Sequence, residues 1–401
     1  MKNKYFLIFI LLLNTVFLSC QQESEKSYEV LIESTSTTPF NIFYFDLPED
    51  ATNTEYFLQS SQNEEIPVQV QNNGKALAVL TGLYAGKETS FSLRHGQVND
   101  NGIELTQGDN SISFSSGGKE ILAFKTKAEL PRADIDSVYL RAGFIHPVHA
   151  PSGKIISDSY AHNHLHHHGI WAAWTKTEFE GRSPDFWNMA EKTGTVEFVS
   201  LDSTWTGPVN GGFKATIQYI DLTTAEKIKV LNETWEVNIF NIREKNEDFS
   251  IFDLKIEQEN ISSSPLILPE YHYGGLGFRG HESWNGEENT SFLTSEGKDR
   301  KDGHGTTARW CHIGGLVDGS PAGITIMNHP ENFRAPQHMR IHPTEPFFCY
   351  TPSQGGDWAI EPGEFYQARY RFVVYDGEPD VQLIENMWKD YEQPVRVEVK
   401  Q

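Results

Sequence analysis

The sequence contains few cysteines. Three occur among 401 residues, at positions 20, 311 and 349, and no pair has the short spacing that cysteine-type zinc sites require. A structural zinc site of that type is therefore excluded. Cys311 and Cys349 can pair in an oxidising compartment or remain two separate buried thiols, and their spacing does not decide between these outcomes.

Nucleotide-binding motifs and helical patterns are also scarce. The chain has no Walker-type loop, no Rossmann glycine fingerprint, no repeat of fixed period and no coiled-coil heptads. Beyond the N-terminus, no apolar run is long enough to suggest a spanning helix. One segment, residues 380–391, has helical periodicity, with one apolar face formed by Val381, Ile384, Met387 and Trp388.

Positively charged residues are few. Lys and Arg number 33 against 55 Asp and Glu, which gives a formal net charge of −22. This acidity disfavours nucleic acid and bare anionic membrane as partners. It also provides no long-range attraction for an anionic glycan, so local Arg and His side chains would have to bind one.

The N-terminus has the pattern of a targeting segment. Lys2 and Lys4 precede the apolar run 6–13, and Leu18-Ser19-Cys20 resembles a bacterial lipobox, in which the cysteine is lipidated. We predict a lipoprotein signal peptide over 1–19, lipidation at Cys20 and a polar tether over 20–27. The folded part would then be lipid-anchored to a bacterial membrane, expected to be the outer membrane, on its periplasmic or cell-surface side.

Short strand-like runs separated by turns dominate the rest. Examples are residues 76–80, 249–256, 323–327 and 366–375. Turn residues cluster near 96–112 and indicate a boundary. We predict a mostly β protein with a small N-terminal β domain over 28–100, a large antiparallel β-sandwich domain over 110–399 and a short C-terminal helix.

The segment His162-Asn-His-Leu-His-His-His168 is the most informative motif. In an extended strand, His162, His164, His166 and His168 would project from one face, where packing alone would favour Val or Ile. Imidazole titrates near neutrality and is a common metal ligand. A solvated, adventitiously metal-binding loop is the alternative.

Four further segments combine histidine with aromatic residues, glycine or arginine, namely 141–149, 270–281, 302–312 and 328–342. Fourteen of the fifteen histidines lie between His146 and His342. This uneven distribution predicts one shared site or rim. Trp187, in the segment Asp185-Phe-Trp-Asn188, is a candidate platform for a sugar ring, although aromatic residues on strands are more often part of a core.

Several of these segments together resemble the PmoA-like family of secreted bacterial β proteins. The similar pieces are Arg141-Ala-Gly-Phe-Ile-His146-Pro, His164-Leu-His-His-His-Gly-Ile-Trp-Ala-Ala-Trp174, Gly181-Arg-Ser-Pro-Asp-Phe-Trp187, Tyr273-Gly-Gly275, Ala308-Arg-Trp-Cys311, Asn328-His-Pro-Glu-Asn-Phe-Arg334 and Glu361-Pro-Gly-Glu364. The resemblance implies a role in polysaccharide degradation. The chain also resembles the oligosaccharide dehydratases with which marine flavobacteria degrade ulvan, a sulfated uronic-acid polymer.

The resemblance implies a lyase that eliminates water from the non-reducing-end uronic acid of such oligosaccharides. The reaction needs a neutralised carboxylate, a base for the C5 proton and an acid for the departing C4 hydroxyl. We expect acid or base at His167 or His168 and its partner at His272 or Tyr273. We expect the carboxylate clamp at Arg279 or Arg309, with Trp187 and His146 as further substrate contacts.

Three alternatives stay open from the residues. A divalent metal held by His164, His166 and His168 could replace arginine in neutralising the carboxylate. A glycoside hydrolase or epimerase is another reading, although no pair of carboxylates is distinguished. A non-catalytic glycan-binding lipoprotein would explain the aromatics and the anchor but not the histidines.

Overall fold

The computed structural model describes residues 28–49, 55–83, 85–98, 101–242 and 249–401. The predicted signal peptide, the tether and Cys20 lie outside these residues. Within the described ranges, no helix is both long and apolar enough to cross a membrane.

The first sheet joins the two ends of the described chain. Its strands are β1 (Tyr28–Glu33), β2 (Phe40–Asp46), β3 (Glu55–Gln59), β4 (Glu65–Val70), β5 (Lys75–Thr81), β6 (Glu88–His95) and β28 (Arg396–Lys400), in the order β2-β5-β4-β3-β6-β1-β28. In β28, exposed charged residues alternate with half-buried Val397 and Val399, the pattern of a strand with one packed face. The last strand therefore packs with the N-terminal sheet and not with the sandwich.

Two eight-stranded antiparallel sheets form the large domain. The front sheet has the order β24-β25-β20-β13-β10-β9-β8-β7 and comprises β7 (Ile103–Gln107), β8 (Ser111–Ser116), β9 (Lys119–Lys125), β10 (Ile145–Val148), β13 (Ile170–Ala173), β20 (Gly275–Arg279), β24 (Met339–Ile341) and β25 (Phe347–Tyr350). The back sheet has the order β15-β16-β17-β18-β27-β23-β22-β21 and comprises β15 (Gly194–Trp205), β16 (Asn210–Asp221), β17 (Ile228–Phe240), β18 (Phe249–Asn260), β21 (Thr290–Thr294), β22 (Trp310–Val317), β23 (Ser320–Asn328) and β27 (Phe365–Asp376).

Aromatic side chains from the two sheets meet in one core. Phe124 of the front sheet lies 4.5 Å from Phe213 and 6.1 Å from Trp235 of the back sheet, between ring centroids. Tyr350 stacks on Tyr370 across the same interface at 5.6 Å. Alternating side chains of both inner faces thus fill the space between the sheets, as in sandwiches generally. The predicted mostly β fold with a large antiparallel sandwich is confirmed.

Smaller elements complete the domain. They are the ribbon of β11 (Ser159–Ala161) and β12 (His164–His168), the three-stranded sheet of β14 (Glu178–Phe179), β19 (Leu266–Leu268) and β26 (Trp358–Ile360), and the helices α1 (Arg300–Gly303) and α2 (Val381–Glu392). Asp380 caps α2 by accepting a hydrogen bond from the Leu383 amide at 3.0 Å. Ile384, Met387 and Trp388 are buried as predicted, whereas Val381 is 49% exposed because it occupies the first, solvent-facing turn.

Cys311 and Cys349 are separate buried thiols. Burial raises the pKa of Cys349 to about 11, and its Sγ lies 3.0 Å from Thr351 Oγ1. Of the two outcomes open from the sequence, the structure has the unpaired one.

Candidate active site

The histidine run forms strand β12 of the two-stranded ribbon. Ser159 pairs with His168 and Ala161 pairs with His164, and the register shifts between these two pairs. This irregularity breaks strict alternation within the run. The predicted single face holding His162, His164, His166 and His168 is therefore wrong, since His164 stacks on His167 instead, with ring centroids 4.7 Å apart and planes 11° from parallel.

Four imidazoles nevertheless gather at one place. We call His164, His166, His167 and His342 the histidine cluster. His166 lies 5.7 Å from His164 and 4.6 Å from His167, and His342 lies 5.7 Å from His164, between ring centroids. Phe347 packs against the group. Its ring stacks on that of His167 at 4.6 Å and lies 6.5 Å from that of His342.

An arginine–tyrosine pair borders the cluster. Arg340 donates a hydrogen bond from Nη2 to the Tyr273 hydroxyl at 2.9 Å, and its guanidinium carbon lies 4.8 Å from the centre of that ring. Tyr273 also lies 6.0 Å from Phe347, which connects the pair with the cluster. His272 adjoins Tyr273 at 4.6 Å, and Arg340 Nη1 is 3.4 Å from His304 Nε2.

The electrostatics keep the cluster uncharged at neutral pH. Burial, reinforced by His164 and Arg279, lowers the pKa of His166 to about 4. Burial and the nearby Arg340 lower the pKa of His342 to about 4. Burial also lowers the pKa of His164, and that of His167 falls well below its usual value. At pH 7 these rings are therefore neutral. Nδ1 of His342 accepts hydrogen bonds from the Thr344 and Glu345 amides, at 3.3 and 3.0 Å, whereas Nδ1 of His164 and of His167 has no partner among the described residues.

Arg279 lies beneath the cluster but is not available as a clamp. Its side chain is completely buried, and Nη2 donates to Asn163 at 3.0 Å, Asn285 at 2.7 Å and Glu345 at 3.1 Å. The predicted role in holding a substrate carboxylate is therefore wrong, because the guanidinium is completely buried and already pairs with Glu345 through Nη2, although Nε and Nη1 have no partner among the described residues. Arg279 instead supplies a fixed positive charge that lowers the pKa of neighbouring histidines.

His168 lies on the opposite side of β12 from His167, as adjacent strand residues do. It is fully buried, its ring lies 4.6 Å from both Phe144 and Tyr160, and its Nδ1 is 3.2 Å from Ser159 Oγ. A proton-transfer role for His168 in the cluster is therefore contradicted. His164, His166 and His168 do not converge, and no group of His, Cys, Asp or Glu in the described part of the chain has the arrangement of a metal site.

Three other predicted contacts lie elsewhere. Trp187 is 1% exposed and packs on Trp171 at 4.9 Å, so neither face can receive a sugar ring. Arg309 pairs with Glu385 at 3.2 Å against helix α2. His146 lines a separate pocket and bonds Ser157 through Nδ1 at 2.9 Å. Each of these side chains contacts neighbours outside the histidine cluster. The predicted roles of Trp187, Arg309 and His146 as substrate contacts there are therefore wrong.

The histidines between His146 and His342 do not all lie in one site. His312 is buried in the back sheet, with Nδ1 2.6 Å from the Tyr375 hydroxyl and Nε2 3.0 Å from Ser291 Oγ. His329 packs on Tyr391 at 5.0 Å, near the C-terminal helix. The prediction of a single shared site is therefore correct only for part of the set.

Arg340 and Phe347 were missed from the sequence. A signal for Arg340 exists, because His338, Arg340 and His342 are spaced by two and alternate with buried Met339 and Ile341. In a strand this spacing directs all three polar side chains to one face. Phe347 carries no such signal, since an apolar residue on a buried strand is the usual case.

Comparison with known proteins shows a family match. The family described as a family of unknown function (DUF6807) matches residues 111–389, a range that contains every strand of the two sandwich sheets except β7, and every residue of the histidine cluster. No curated protein matches the chain. Because the match covers more than half of the sequence, the chain belongs to the DUF6807 family.

Proposed function

We propose that the histidine cluster and the Arg340–Tyr273 pair form the active site of an oligosaccharide dehydratase. Its substrate would be the non-reducing-end uronic acid of a polysaccharide fragment such as one from ulvan. The observation that carries the proposal is the grouping of three side chains: Arg340 donates a hydrogen bond to the Tyr273 phenol, and the ring of His272, whose pKa is lowered by burial and by Arg340, adjoins that of Tyr273. Together these groups offer a carboxylate clamp, a base and an acid, the three requirements of the elimination.

The proposed reaction is an elimination of water across C4 and C5 of the uronic acid. Arg340 binds the C6 carboxylate, and neutral His272, whose ring lies 4.6 Å from that of Tyr273, removes the C5 proton. The electron pair of the C5–H bond forms the C4–C5 double bond while the C4–O bond breaks. The Tyr273 hydroxyl gives its proton to the departing oxygen, so that water leaves and Arg340 stabilises the phenolate at 2.9 Å. Proton exchange with solvent then restores both residues.

Substrate binding would also strengthen the base. Burial and the positive charge of Arg340 lower the pKa of His272. A carboxylate bound to Arg340 opposes that charge and so raises the pKa of His272, and a general base is most effective when its pKa is near neutrality. Binding of the anion and activation of the base are thus linked.

The test uses the full-length protein and uronic-acid-terminated oligosaccharides. Ultraviolet absorbance of the conjugated double bond would rise, and mass spectrometry would record the loss of one water without chain shortening. We expect Arg340→Gln, His272→Gln and Tyr273→Phe each to lower the rate about 10²-fold or more, with Arg309→Gln as the matched arginine control. Absorbance with chain cleavage would instead mean a lyase acting on the glycosidic bond. Bound but unaltered oligosaccharide would favour the non-catalytic glycan-binding lipoprotein.

We propose further that the protein is held at a bacterial membrane through lipidated Cys20. The lipobox-like Leu18-Ser19-Cys20 supports this. Expressed in a bacterium with Cys20→Ser, the protein should move from the membrane fraction to the soluble fraction. Equal membrane association of both forms would rule out the anchor.

A further inference from the structure

A pocket lies beside strand β11, the partner in the ribbon of strand β12, which carries most of the histidine cluster. It has a volume of about 300 Å³ and is lined in part by Lys125, Lys127, Arg141, His146, Ser159 and Tyr160. His168 of β12 packs against two of these lining residues, Tyr160 and Ser159. The size is at the lower end for ligand pockets and suits one sugar residue or a smaller ion.

The pocket is basic in a strongly acidic protein. Its three cations face a single carboxylate, Glu129, which accepts a hydrogen bond from the Asn110 amide. In the described part of the chain, neither Lys125 nor Lys127 forms an ion pair. Cations placed together without counter-ions repel one another, so an anion in the pocket would relieve that repulsion.

Arg141 adds a buried charge to the same wall. The residue is 2% exposed, and its guanidinium donates only from Nη2, to the Ala172 carbonyl at 3.1 Å. Nε and Nη1 are buried and have no partner among the described residues. A buried guanidinium with two unsatisfied nitrogens is costly. Buried Glu233 attracts Arg141 electrostatically but makes no hydrogen bond to it, and its own pKa is raised to about 7, so an anion in the pocket would reduce the cost further.

We infer that this pocket binds the oxyanion of a small ligand, a carboxylate or sulfate carried by a sugar residue. Lys125 and Lys127 supply the charge, Ser159 supplies a hydroxyl, and the ring of Phe144 supplies an apolar wall. Phosphate and free sulfate share the oxyanion chemistry, and the experiment separates them from a sugar. The inference does not depend on the proposed dehydratase activity, because none of these side chains belongs to the histidine cluster.

Isothermal titration of the full-length protein with glucuronate, glucose 6-sulfate, inorganic sulfate and phosphate tests the inference. We expect at least one of these anions to bind, and Lys125→Gln and Lys127→Gln each to weaken it about tenfold. Lys214→Gln removes the same charge from an exposed position on β16 and should leave affinity unchanged. Sugar anions binding more tightly than inorganic ones would identify a saccharide site, and the reverse order a site for free oxyanions.

Arg340→Gln separates the two sites. Binding that falls with the lysine substitutions and persists in Arg340→Gln belongs to the pocket. Binding that is lost in Arg340→Gln and unchanged in both lysine variants belongs to the histidine cluster and overturns the inference. Absence of binding by all four anions would overturn it as well, whatever the outcome of the dehydratase assay.

Discussion

Glu233 should make the stability of the protein depend on pH in an unusual direction. Its carboxyl group is completely buried between the sheets and accepts hydrogen bonds from Tyr219 at 2.9 Å, from Trp235 at 2.7 Å and from Gln258. Burial outweighs these donors and the positive charge of Arg141, and raises the pKa of Glu233 from 4.5 to about 7. The folded state therefore favours the protonated acid.

The direction and size of this change in stability with pH follow from proton linkage. Below pH 4.5 the carboxyl is protonated in both states and costs no stability. Between pH 4.5 and about 7 the unfolded chain ionises while the folded one does not, so stability is lost as pH rises. Moving the pKa this far corresponds to a loss of about 3 kcal/mol in the free energy of unfolding.

Urea unfolding of wild type and Glu233→Gln at pH 5 and pH 8 measures this effect. The glutamine cannot ionise, so on going to pH 8 the variant should gain about 3 kcal/mol relative to wild type. Glu236→Gln, on the opposite face of the same strand, is the matched control and should follow wild type. A constant difference between wild type and Glu233→Gln across this range would refute the reasoning and would mean that the carboxylate is charged in the folded core.

Three further predictions concern the site and the buried histidine. Phe347→Ala should lower the free energy of unfolding by about 3–5 kcal/mol, measured in urea, because the ring is fully buried under the histidine cluster; Phe365→Ala, at an exposed position, should cost far less. Burial lowers the pKa of His312 to about 3, so its contribution to stability is present above its unfolded pKa and is lost on acidification. Between pH 6.5 and 4.5, the free energy of unfolding of His312→Asn should fall by about 2 kcal/mol less than that of wild type. An equal fall in the two proteins would contradict this. Dialysis against a chelator should leave turnover of uronic-acid oligosaccharides unchanged, since the imidazoles of the cluster do not converge on one point; loss of activity restored by a divalent cation would contradict this.

The strands were predictable because their signal is local. Residues 76–80, 249–256, 323–327 and 366–375 all lie within observed strands, where alternating or continuous apolar residues match the packing of one or both faces. The C-terminal helix was predictable for the same reason. The membership of β28 in the N-terminal sheet was not, because that pairing joins residues from opposite ends of the chain.

The candidate site was only half predictable. The run from His164 to His168 identified the strand, but the bulge in the ribbon decides which imidazoles meet. The remaining partners, Arg340, His342 and Phe347, come from strands far away in the sequence. Trp187 illustrates the opposite error, since the composition of an aromatic segment does not reveal whether its ring faces solvent or core.

The ribbon of β11 and β12 connects the basic pocket, which Ser159 and Tyr160 of β11 line, with the histidine cluster, most of which lies on β12, and the two are coupled electrostatically. Arg141, at the pocket, contributes to lowering the pKa of His166 in the cluster as well as that of His168. An anion bound in the pocket would oppose the field of Arg141 and so raise the pKa of His166. Occupation of the pocket by one acidic sugar would then make His166 easier to protonate, and a protonated imidazole in the cluster favours binding of ligands that carry more than one negative charge.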